Sequence, residues 1–249
     1  MDNHHGGITS FEILNNQIIA GINIGNFNNE LCYTDGTDTG TIIIKDIYQG
    51  TYSSRPDEFL KISNNKVLFV ADNPSYGREL YVTDGTSNGT IFLKDIYTGV
   101  QSSSIKMMIS NNGIGYFSAE DNNGITNLWR SDGTIGGTYK ITNLSVSAYF
   151  NSKYFAISGN IVYFYSSGKW IYKTDGTSYG TTQLNGSSLY NAKDFTIFNN
   201  QLYFIYANQL KKCNNNNTIV TVSSSYTFKR IKTAGSYILW SFKSLQCSL

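Results

Sequence analysis

Four aspartates, Asp35, Asp84, Asp132 and Asp175, recur at intervals of 49, 48 and 43 residues. Each opens an Asp-Gly-Thr triplet: Asp35-Gly36-Thr37, Asp84-Gly85-Thr86, Asp132-Gly133-Thr134 and Asp175-Gly176-Thr177. A second Gly-Thr follows at 40–41, 89–90, 137–138 and 180–181. Carboxylates repeated in this way could bind calcium, but that ion takes about six to eight oxygens, and each turn supplies one carboxylate, or two in the first copy with Asp38. The pattern suits a turn better. Asp before Gly accepts hydrogen bonds from N–H groups two or three residues on, and Gly adopts a backbone conformation closed to other residues. The triplets are read as structural turns, and no metal, cofactor or catalytic residue is expected.

Other reactive groups are sparse. His4 and His5, the only histidines, lie in a Gly- and Asn-rich terminus expected to be flexible over residues 1–10, so no general base of that type is available elsewhere. Asp57-Glu58 and Glu120-Asp121 are acidic pairs expected in loops. Cys32, Cys213 and Cys247 are odd in number and widely spaced, which fits neither a disulfide framework nor a zinc site. Cys32 stands where other copies carry Tyr81, Trp129 or Tyr172, and so reads as core filling. No phosphate loop or nucleophile elbow is present. The chain is not expected to be an enzyme.

The elements that position these residues are strands. In the second copy, Phe59 to Ile62 predicts a strand, Asn64-Asn65 a hairpin turn, Lys66 to Ala71 a second strand, Glu79 to Thr83 a third and Thr90 to Ile96 a fourth. The hairpin recurs at Asn15-Asn16, Asn111-Asn112, Gly159-Asn160, Asn199-Asn200 and Ala234-Gly235. Second strands such as Val67-Leu68-Phe69-Val70 are apolar on both faces, as in a sheet covered on both sides. Four-stranded units of this length are expected to be blades of an all-β propeller in one domain, residues 11–249. The blades fall near 11–47, 59–96, 105–144, 154–184 and 194–222, with a half-blade at 228–242. Because that last hairpin lacks outer strands, the ring is expected to be open or incompletely closed and the chain a fragment.

The full phrases, ELCYTDGTDTGTIIIKDI at 30–47 and ELYVTDGTSNGTIFLKDI at 79–96, resemble the ELWxxDGT repeat. Leu128-Trp129 and the later triplets continue the likeness over about residues 11–187. The resemblance implies a propeller-like module from secreted or surface-attached bacterial proteins, and it carries no activity to transfer. It sets an extracellular expectation against the amino terminus, which lacks a secretory signal and taken literally reads as cytoplasmic.

Bulk composition excludes little else. A formal charge of +2 over 249 residues offers no case for nucleic acid or an anionic membrane. The longest apolar runs, such as Val67 to Ala71, fall far short of the ~20 residues of a spanning helix, so no membrane insertion is expected. In a four-stranded blade the loops between second and third strands share one end with the interblade links. That end carries Tyr48, Tyr52, Arg55, Tyr76, Arg78 and Tyr97, types enriched at binding hot spots. The expected function is binding of protein or polysaccharide through this loop face. The alternative is a carbohydrate hydrolase or lyase. It would need carboxylates converging at the channel mouth, and the inner strands offer Glu12, Glu58 and Asp194.

Overall fold

The computed structural model describes residues 10–24, 27–143, 155–166, 169–186, 188–234 and 237–242. The amino-terminal segment with both histidines, and Cys247, lie outside them. The chain divides into two compact units, residues 1–145 and 146–249, and the described residues contain strands and no helix.

The first unit holds three antiparallel sheets, each a meander of four consecutive strands. They are β1 (Phe11–Leu14), β2 (Gln17–Ile24), β3 (Phe27–Thr34) and β4 (Ile42–Lys45); β5 (Asp57–Ser63), β6 (Lys66–Asn73), β7 (Gly77–Thr83) and β8 (Ile91–Lys94); and β9 (Lys106–Asn111), β10 (Ile114–Glu120), β11 (Thr126–Ser131) and β12 (Tyr139–Lys140). The second unit repeats the meander twice. Its sheets are β13 (Phe155–Ser158), β14 (Ile161–Ser166), β15 (Trp170–Thr174) and β16 (Thr182–Gln183), then β17 (Lys193–Phe198), β18 (Gln201–Tyr206), β19 (Gln209–Cys213) and β20 (Ile219–Ser223). It ends on the two-stranded sheet β21 (Phe228–Ala234) and β22 (Tyr237–Phe242). The architecture is all-β and propeller-like.

The unbroken apolar run of β6 has a direct explanation. Val67, Phe69 and Ala71 pack with Leu14, Ile19 and Leu31 of the first sheet, while Leu68 and Val70 pack with Phe117, Ala119 and Trp129 of the third. Successive side chains point to opposite faces, and both faces are covered by a neighbouring sheet. β18 does the same in the second unit. Leu202 and Phe204 face the sheet of β13–β16, and Ile205 faces Phe228 and Ile231 of the terminal hairpin.

Several local expectations need correction. The expectation that the Asn-Asn turns use the positive φ that Asn tolerates fails at Asn64 and Asn65: they form the two-residue turn, since Ser63 pairs with Lys66, but neither has positive φ, and the register shifts between Lys61 and Ser63. The third hairpin turns on Asn112 and Gly113, because Asn111 pairs with Ile114. The fourth strands are shorter than expected: β8 loses Thr90 to the turn and Ile96 to a buried carboxylate. Of the two acidic pairs only Asp121 lies in a loop, where its carbonyl accepts the Gly124 N–H. Asp57 and Glu58 begin β5, and Glu120 ends β10 opposite Thr126.

Candidate functional site

The four Asp-Gly-Thr turns have one geometry. Oδ1 of Asp35, Asp84, Asp132 and Asp175 accepts from the backbone N–H of the following Thr at 2.9–3.0 Å and from its hydroxyl at 2.6–2.8 Å. That Thr Oγ1 in turn accepts the N–H of Gly40, Gly89, Gly137 or Gly180 at 2.9 Å. The next Thr donates its hydroxyl to the carbonyl of Thr37, Thr86, Thr134 or Thr177, closing the loop. Gly36, Gly85, Gly133 and Gly176 have φ of +95°, +88°, +78° and +91°. The second glycine is required for another reason: a Cβ there would stand 2.0–2.1 Å from an atom of the Asp carboxylate. Bonding to Thr37 and Thr177 holds the carboxyls of Asp35 and Asp175 below the usual carboxylate range. Among the described residues no three His, Cys, Asp or Glu side chains are grouped to hold a metal.

A second element of the repeat is a buried glutamate. Glu30 opens the Glu-Leu phrase and is 1% exposed; its carboxylate accepts the N–H groups of Ile47 and Ser54 and the Ser54 hydroxyl. Glu79 is 0% exposed and accepts from Ile96 and Tyr97 N–H at 3.2 Å each and from Ser103 Oγ at 2.7 Å. Both glutamates thus fasten the link that leaves their own sheet for the next. Ser54 and Ser103 then join neighbouring sheets by backbone: Asp72 N–H donates to the Ser54 carbonyl and Glu120 N–H to that of Ser103, each at 2.7 Å. Burial raises the Glu30 pKa, and raises that of Glu79 from 4.5 to about 7, against the opposing hydrogen bonds. The third copy places Asn127 there, bonded to Asp121 and to Thr142. In the second unit a tyrosine hydroxyl serves the link: Tyr165 donates to the Leu189 carbonyl at 2.7 Å.

These clasps set the walls of an open groove of about 480 Å³ in the first unit, lined by Tyr48, Tyr52, Ser53, Arg55, Asp72, Asn73, Pro74, Gly77, Val100 and Ser102. The Tyr48 and Tyr52 rings lie 5.1 Å apart at 40°, and Tyr52 is 65% exposed. Arg55 Nε donates to Asp72 Oδ2 at 2.6 Å, and Arg78 donates to the Arg55 carbonyl at 2.7 Å. The Asp72 pairing raises the Arg55 pKa. Arg55 also separates the groove from an adjoining cavity of about 360 Å³ whose wall includes Arg78. Of the loop-face residues, Tyr48, Tyr52 and Arg55 therefore share one groove and Arg78 its neighbour. Tyr76 and Tyr97 are not in these walls. Tyr76 stacks on Phe92 with rings 4.7 Å apart, and the Tyr97 backbone is held by Glu79. The sequence reading missed Asp72 and the buried glutamates. The available signal was a serine 24 residues after each glutamate, Ser54 and Ser103.

The inner-strand carboxylates are each engaged with a neighbouring sheet. Glu12 Oε2 accepts the Lys61 N–H at 3.0 Å, Glu58 pairs with Lys106 at 2.7 Å, and Asp194 Oδ2 accepts the Ile231 N–H at 3.3 Å.

No protein-family model matches the chain, and no curated protein matches it. Solved structures do. One of two prolyl endopeptidases studied for inter-domain dynamics aligns at TM-score 0.53 and 8% identity, covering 96% of this chain and 40% of that one. A puromycin hydrolase S511A mutant complexed with PGG aligns at 0.51 and 14%, covering 96% and 43%. The computationally designed Ika8 protein aligns at 0.50 and 17%, covering 97% and 70%. The chain thus spans under half of either hydrolase. At these identities the likeness concerns the fold alone.

Proposed function

We propose that this chain is a non-catalytic interaction module of the ELWxxDGT-repeat kind, working outside the cell or at its surface, that binds protein or polysaccharide through the loop face of its first unit. The observation that carries this reading is the groove of Tyr48, Tyr52 and Arg55. An open aromatic pair stands beside a guanidinium paired with Asp72 and next to a clasped link, so aromatic faces and a cation are presented together to a ligand. The engagement of Glu12, Glu58 and Asp194 in separate intersheet contacts favours a binding role over hydrolysis.

The test is affinity electrophoresis of the full chain in gels containing β-glucan, xylan or galactomannan. The combined Tyr48→Ala, Tyr52→Ala and Arg55→Ala variant should lose retardation while keeping the far-UV spectrum of the parent. Equal retardation of a folded triple variant would remove the groove from the account.

A further inference from the structure

The net charge of +2 conceals a division. Residues 146–249 carry ten Lys and Arg against Asp175 and Asp194, a formal +8, whereas residues 1–145 carry nine against fifteen acidic residues, a formal −6. Four of those ten cations line one groove. A groove of about 840 Å³ runs between the neighbouring strands β17 and β21, and its walls include Lys193, Lys229, Arg230 and Lys232. Among the described residues none of the four makes an ion pair. The one carboxylate in the wall, Asp194, is directed at the Ile231 N–H.

The backbone is built to present these cations. In β21, Phe228 pairs with Phe242 and Arg230 with Ser241, so Lys229 is an extra residue, and Lys229 and Arg230 are consecutive exposed positions between buried Phe228 and Ile231. In β17 the register also shifts between Lys193 and Thr196, with Asp194 at φ +54°. Such bulges re-aim side chains and are common beside functional sites. The first unit has a like irregularity at Glu58, φ +55°, but there Lys106 pairs with the carboxylate. In the groove of the second unit no carboxylate among the described residues pairs with the cations.

We propose that this groove binds an anionic polysaccharide, whose carboxylate or sulfate groups align with Lys193, Lys229, Arg230 and Lys232. Single-stranded nucleic acid is the less suitable polyanion, since its binding surfaces add open aromatic platforms to the positive groove. The aromatic residue in this wall, Phe195, is instead half-buried against Phe204, rings 5.6 Å apart.

Binding of the full chain to heparin, polygalacturonate, neutral dextran and oligothymidylate would be measured by calorimetry at about 50 mM salt, where screening is weak. Heparin or polygalacturonate should bind and dextran should not. Lys229→Gln, Arg230→Gln and Lys232→Gln together, all at exposed positions, should weaken binding about tenfold or more. Lys211→Gln with Lys212→Gln, outside the groove, should leave it within about twofold. The Tyr48, Tyr52 and Arg55 triple variant should bind both anions as the parent does, which separates this site from the one in the first unit. The proposal is overturned if neither acidic polysaccharide binds, or if dextran binds the Tyr48, Tyr52 and Arg55 triple variant as tightly as they do. It also fails if both sets of substitutions cost the same, or if oligothymidylate binds tighter than either polysaccharide through the same residues.

Discussion

Replacing Glu79 by Gln should change stability by an amount that depends on pH, with a sign the buried site dictates. The folded pKa of about 7 lies above the ordinary 4.5, so the folded state holds the proton more tightly than the unfolded chain. The stability from this group is full below about pH 4.5 and is lost as pH rises through about 7, a change of about 3 kcal/mol. A glutamine side chain has no proton to lose. It also cannot reproduce the acceptors: with Ile96 and Ser103 donating to one oxygen and Tyr97 to the other, its NH₂ must face one backbone N–H whichever way it is placed. That mismatch in a fully buried site costs about 1–3 kcal/mol. The variant should therefore be less stable than the parent by about 1–3 kcal/mol near pH 4.5, with the deficit vanishing or reversing by about pH 8. Urea unfolding would be followed by the fluorescence of Trp129, which is buried in the first unit, in a background where Trp170 and Trp240 are replaced by Phe. A deficit independent of pH, or one that grows as pH rises, would refute the reasoning.

Gly137→Ala would set a Cβ 2.0 Å from Asp132 Oδ1 and break the two hydrogen bonds that oxygen accepts from Thr134, costing about 1–2 kcal/mol, whereas at Gly136 a Cβ meets nothing within 4 Å. Adjacent Gly136→Ala should stay within about 0.5 kcal/mol in the same urea assay, and equal effects at both positions would discredit the turn geometry. Cys32 and Cys213 are buried, with the Cys32 thiol pushed up to about 12 and that of Cys213 also raised by burial. In a Cys247→Ser background neither should react with a thiol-exchange reagent near pH 8 until the chain is unfolded, and reaction of the folded protein would contradict that burial.

The repeat was a good guide to the fold because its chemistry is local. Asp, Gly and Thr at fixed offsets specify a turn through bonds spanning a few residues, and a strand apolar on both faces records that it has two covered sides. Hairpin detail was less legible, since Asn64-Asn65 and Asn199-Asn200 look alike in sequence while only the second pair has positive φ. The grooves were harder still. Tyr48, Tyr52 and Arg55 come together through Asp72 and through links held by glutamates whose partners lie 17 to 24 residues away. Tyr76 and Tyr97 sit on similar loops, yet the Tyr76 ring stacks on Phe92 and the Tyr97 backbone N–H is taken by Glu79. The basic groove was hidden by summation, because a charge taken over the whole chain cancels two halves of opposite sign.

The residues that staple each sheet are distinct from those proposed to meet a ligand. An amide NMR titration of the full chain with oligosaccharides of whichever β-glucan, xylan or galactomannan retards it tests that separation most directly. Resonances of Tyr48, Tyr52, Arg55 and Ser102 should move with added sugar, while those of Gly36, Gly85, Gly133 and Gly176 stay fixed. Shifts centred on the four turn glycines, with the groove residues unmoved, would contradict it.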